Sequence, residues 1–130
     1  MGEPASSEGI DISAAAKRMR QQDAEQAAER SARYAVAQED LGRVLEILRR
    51  YPAVKRVRTW GSMLRPDRFT ELSDVDVGVE GVDSPQVWSQ IERELLDEVR
   101  LPLDLVRWES LMEPHRKSIE ARGKVVYESG

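Results

Sequence analysis

The chain contains no cysteine and a single histidine. Without cysteine there is neither a disulfide framework nor a thiolate metal site. No apolar run approaches the roughly 20 residues that a helix needs to cross a bilayer. The first ten residues are small, acidic and polar, unlike a signal peptide. The expected compartment is the cytoplasm, with no membrane partner. An excess of positive charge is also missing: 20 Lys and Arg stand against 24 Asp and Glu, a formal net charge of −4. That balance argues against a broad basic surface for nucleic acid, though not against a local basic pocket.

What is present suffices for one small domain. The 130 residues are 40% hydrophobic, enough to build a core. Residues 1–9 are rich in Gly, Ser, Glu and Pro and read as a disordered leader. Residues 10–40 read as a helical extension, with a weak stripe of Ile12, Ala16, Met19, Ala27, Ala28, Ala35 and Val36. Such a stripe buries little area. It suits packing on the domain or contact with a second chain, so an oligomer through this helix is an open expectation. A stronger stripe, Leu41, Val44, Leu45 and Leu48, opens the main domain at residues 41–130. Gly42 leaves one long helix or two abutting ones open, and Pro52 ends the region.

Beyond Pro52 the pattern alternates. Val54–Trp60 reads as a strand, and 61–73 as a loop too polar for the core. Asp74–Glu80 is a strand with Val75, Val77 and Val79 on one face and Asp74, Asp76, Gly78 and Glu80 on the other. Ser84-Pro85 is a helix start, an N-cap hydroxyl before a first-turn proline, for a helix to about Val99. Leu103–Trp108 is a third strand. A helix from about Glu109 stops at Gly123, and Lys124–Glu128 is a last strand. The fold class is α/β, a small mixed sheet packed against helices with an N-terminal helical extension.

One constellation reads as chemistry. Gly61-Ser62 ends a strand, and Asp74-Val75-Asp76 follows after eleven intervening residues. Carboxylates two apart on a strand point the same way, and repel unless a cation lies between them. Magnesium prefers such hard oxygen ligands. Asp104, an acid between Leu103 and Leu105, would join them if its strand neighbours 74–80. Three acids can hold two magnesium ions about 3.5–4 Å apart for in-line phosphoryl transfer. A glycine lets a phosphate approach the backbone, the Ser62 hydroxyl is a donor, and Arg65, with Arg68 second to it, offers positive charge. His115, beside Arg116 and Lys117, reads as solvent-facing. Trp60 reads as packing at a strand end with stacking on a base as the alternative, and Trp88 and Trp108 as core or partner contacts.

These residues resemble the minimal nucleotidyltransferases, a branch of the polymerase-beta-like nucleotidyltransferase superfamily. The likeness lies in Trp60-Gly61-Ser62, Ser73-Asp74-Val75-Asp76-Val77 and Leu103-Asp104-Leu105-Val106, with the ending Gly123-Lys124-Val125-Val126-Tyr127-Glu128, and covers about Leu41 to Glu128. It implies the polymerase-beta-like fold. It implies that Gly61 and Ser62 bind triphosphate, and that Asp74, Asp76 and Asp104 bind magnesium, with Asp104 nearest the attacking hydroxyl. It also implies ATP as co-substrate and transfer of AMP to a hydroxyl, as the antitoxin beside a small all-helical HEPN-type toxin. Family members often carry Arg directly after Gly-Ser and glycine three residues further on. Here those positions are Met63 and Pro66, which supports an alternative, a catalytically weak or inactive module of this fold that acts by binding a helical partner.

Overall fold

The computed structural model describes residues 11–130, so the leader expected at 1–9 lies outside the described residues. Helix α1 spans Ile12–Leu48. At 1.5 Å per residue it is about 55 Å long. Asp11 caps it, its carboxylate accepting from Ala14 N at 3.0 Å. It runs through Gly42 without a break, so the region is one helix. The first half of the helix leaves the expected stripe unpacked within the chain: Ile12 and Met19 face solvent, and burial begins near Tyr34, with Ala37, Asp40, Val44, Ile47 and Leu48 inward. An alanine stripe buries too little surface to hold the first half of the helix against the sheet. Among the described residues no helix is long and apolar enough to cross a membrane.

Four strands form one mixed sheet in the order β3-β2-β1-β4: β1 (Arg56–Thr59), β2 (Val75–Glu80), β3 (Leu103–Arg107) and β4 (Lys124–Glu128). Strand β1 is antiparallel to both β2 and β4, whereas β2 and β3 are parallel. Parallel neighbours need a crossover, and helix α2 (Pro85–Glu98) supplies it, capped by Ser84 Oγ accepting from Val87 N. Helix α3 (Glu113–Arg122) starts later than expected. A short 3-10 turn takes up Trp108–Ser110, and Pro114 falls in the first turn of the helix, where its missing N–H costs nothing. Strand β1 is shorter than the sequence suggests, since Val54 N closes a turn onto Tyr51 O instead of pairing.

The two sheet faces differ. Val57, Val75, Val77 and Val79 are buried with Val44, Ile47 and Leu48 of α1 and Ile91 and Leu95 of α2. The segment 61–73 contributes to that core, against the polar loop expected. It forms 3-10 turns at Gly61–Leu64 and Pro66–Arg68, and it buries Met63 and Phe69. Polar composition hid two apolar anchors spaced six apart, a period of neither strand nor helix.

Asp40 ties α1 to the sheet. Its carboxylate is fully buried and accepts from Arg100 N at 3.1 Å and Leu101 N at 2.9 Å, just before β3. Truncating it would leave two amide donors unsatisfied. Asp40→Ala is expected to cost about 2 kcal/mol, within the range for orphaned buried donors. Urea denaturation measures this, and an unchanged midpoint would contradict the assignment.

Candidate active site

The site forms on the second sheet face. The parallel register sets Asp76 directly beside Asp104, and Gly78 beside Val106. Asp76 is half-buried and Asp104 exposed, while Asp74 lies exposed one residue before β2. From the other side Gly61 meets the same carboxylate. Its φ of +72° is one that glycine adopts readily, and a Cβ there would fall 2.9 Å from Asp76 Oδ2. The glycine motif and the acid motif are therefore in contact.

Further along the same face Gly78 lies beneath two indoles. A Cβ on it would be 2.9 Å from Trp60 Cζ3 and 3.6 Å from Trp108 Cε3. Arg58 stacks on Trp108 at 3.9 Å and donates to Glu80 at 2.8 Å. Its charge is thus matched at the far end of the face, away from the acid pair.

The acid pair has no such compensation. Burial pushes the Asp76 carboxyl up to about 7. The negative charge of Asp104, a hydrogen bond with Asp104 available to the protonated form, and the charge of Asp74 add to it. All of these act in one direction, so no Lys or Arg relieves Asp76. Among the described residues no three Asp, Glu, His or Cys side chains stand together as a metal cage. A protein cage is not required for magnesium, which takes one or two carboxylates and completes its shell with phosphate and water. The uncompensated Asp76–Asp104 pair fits that demand.

Beside the Gly61-Ser62 turn opens a cavity of about 360 Å³, bounded by Trp60, Arg65 and Arg68 on one side and His115, Ser118 and Arg122 of α3 on the other. That volume lies in the small-ligand range. Three arginines at its edge supply the local positive charge that the net charge conceals. His115 is exposed, as the sequence suggests, yet its ring meets Trp60 edge-on with centroids 6.5 Å apart. Arg122 and His115 were not legible as site residues, because α3 is separated in sequence from the motifs and carries no motif of its own. Helical spacing, Arg122 seven positions after His115, was the available signal that they share a face.

Residues 43–130 match the family model described as "Polymerase beta, Nucleotidyltransferase". Among curated proteins none matches. Among solved structures, the chain resembles one in a toxin–antitoxin crystal structure with AMP-PNP, at 19% identity and a TM-score of 0.56 over 68% of this chain and 73% of the other. It also resembles a chain of the toxin–antitoxin MntA-HepT, at 18% identity and a TM-score of 0.52, covering 71% and 73%. A third is in a complex of tri-AMPylated Shewanella oneidensis HEPN toxin with MNT antitoxin, at 19% and 0.53, covering 72% and 73%. At such identity the likeness is one of fold.

The Asp76 environment has a consequence for stability. Its folded pKa lies above the ordinary carboxylate value, so its contribution is fully present below about pH 4 and is lost as pH rises toward 7. Asp76→Asn removes that penalty. In EDTA the variant is expected to melt higher than wild type at pH 8, with the gap closing toward pH 4. Calorimetry at the two pH values checks this, and a lower Tm for the variant at pH 8 would contradict it.

Proposed function

The chain belongs to the polymerase beta nucleotidyltransferase family, and we propose that it transfers a nucleoside monophosphate, AMP from ATP, to a hydroxyl on a small all-helical HEPN-type partner. The observation that carries this reading is the contact of Gly61 with Asp76, itself in register with Asp104. A phosphate-binding turn and a carboxylate pair then share one site, as transfer from a triphosphate requires. Support for the nucleotide and the partner comes from the fold neighbours, one described with AMP-PNP and another with an AMPylated HEPN toxin.

The residues divide the work. Gly61 leaves room for phosphate at the backbone, Ser62 donates its hydroxyl, and Arg65 neutralises the triphosphate, aided by Arg68 and Arg122 around the cavity. Trp60 and His115 offer ring surfaces to the base. Asp104, the exposed acid, orients the acceptor hydroxyl and takes up its proton. The acceptor oxygen bonds to the α-phosphorus, the bond to the bridging oxygen breaks, and pyrophosphate leaves. A magnesium ion held by Asp76 and Asp104, with Asp74 beside them, would supply Lewis-acid stabilisation of the charge on phosphate and leaving group.

A second reading, a catalytically weak or inactive module that acts by binding a helical partner, draws on Met63 and Pro66. Met63 turns its side chain into the core, so it offers nothing to phosphate where relatives often place Arg. The two readings separate in one assay. With ATP labelled at the α-phosphate, magnesium and a candidate all-helical HEPN-type protein, label is expected on the partner. Asp76→Ala/Asp104→Ala is expected to slow transfer by roughly three orders of magnitude, given several kcal/mol from the metal and tenfold per 1.4 kcal/mol. An intact complex without label in either protein would favour the binding module.

A further inference from the structure

We propose that Tyr34, on the N-terminal helix and outside the segment matched by the family, is a positioning residue for the phosphate-binding turn; this rests on the nucleotide reading above. The reason lies in the turn itself. In a 3-10 turn each carbonyl accepts from the N–H three residues on. Ser62 O does so from Arg65 N at 3.0 Å. The next carbonyl, Met63 O, is left without a backbone partner, because the turn ends at Arg65 (φ −134°, ψ 82°) and residue 66 is proline, which lacks an N–H and disfavours helical geometry at the residue before it. Tyr34 fills that gap: its hydroxyl donates to Met63 O at 2.6 Å in a partly buried contact.

The bond is reinforced on both sides. The Tyr34 ring meets Phe69 edge-on with centroids 5.4 Å apart, and Phe69 is fully buried. One residue earlier, Arg33 donates to Glu71 O at 3.2 Å. Segment 61–71 is thus held from α1 at Met63, Phe69 and Glu71. Because Met63 directly follows Ser62, freedom at Met63 O passes to the Ser62 hydroxyl and to the Gly61 contact with Asp76. Pro66 is a departure from the family pattern, and Tyr34 compensates for it from outside the family segment.

The test is a double-mutant cycle on the full chain with magnesium and ATP. Tyr34→Phe keeps the ring against Phe69 and deletes the donor. It is expected to weaken ATP binding by calorimetry three- to tenfold, the scale of one hydrogen bond, with a modest fall in the urea midpoint and the fold retained. Pro66→Gly supplies an N–H and lifts the restriction that proline places on Arg65, so that the turn can extend and Met63 O can accept from residue 66. In the Tyr34→Phe background it is expected to recover most of the lost affinity. An ATP affinity unchanged by Tyr34→Phe, or no recovery in the double variant, would overturn the proposal. Hydrogen exchange at the Arg65 amide decides it independently of nucleotide: faster exchange in Tyr34→Phe supports it, and equal protection overturns it. Failure of the wild type to bind ATP would instead count against the nucleotide reading.

Discussion

The parallel pairing of β2 with β3 is the constraint from which the site follows. Helix α2 returns the chain so that Asp76 and Asp104 become lateral neighbours. A shift of one residue would send Asp104 to the core face and leave Asp76 alone. The register places two like charges side by side, one half-buried, with no protein cation between them. Burial and repulsion both disfavour that arrangement in the isolated chain. Packing elsewhere, in the valine face and the α1–α2 layer, over-determines it. An arrangement held against its own electrostatics marks a functional site more strongly than the acids do individually.

Helix α1 bears on both halves of that site. Asp40 fixes the entry to β3, and therefore Asp104, through two backbone amides. Tyr34 fixes the turn that follows Ser62. The residues are six apart on one rigid helix, so acid strand and glycine turn are referenced to a common element. The first half of the same helix carries little of this load, with Ile12 and Met19 in solvent.

The strict alternation of Val75, Val77 and Val79 made β2 legible, and Ser84-Pro85 made the start of α2 legible, because each is a local signal with a local cause. The acids were legible for the same reason: a carboxylate between leucines has few structural uses. Three features were not. Met63 and Phe69 reach the core from a polar segment, where periodicity says nothing. Arg122 and His115 join the cavity only through the tertiary placement of α3. Tyr34 carries no local signal, and its value depends on an N–H that Pro66 lacks thirty-two residues later.

The most direct test of the central claim, that the Gly61 turn and the Asp76–Asp104 pair form one nucleotide and metal site, is a crystal structure with manganese and a non-hydrolysable ATP analogue. The expected result is anomalous density at Asp76 and Asp104, with the triphosphate along Gly61 and Ser62 toward Arg65. Nucleotide bound elsewhere on the protein, with no anomalous density at the acid pair, would contradict it.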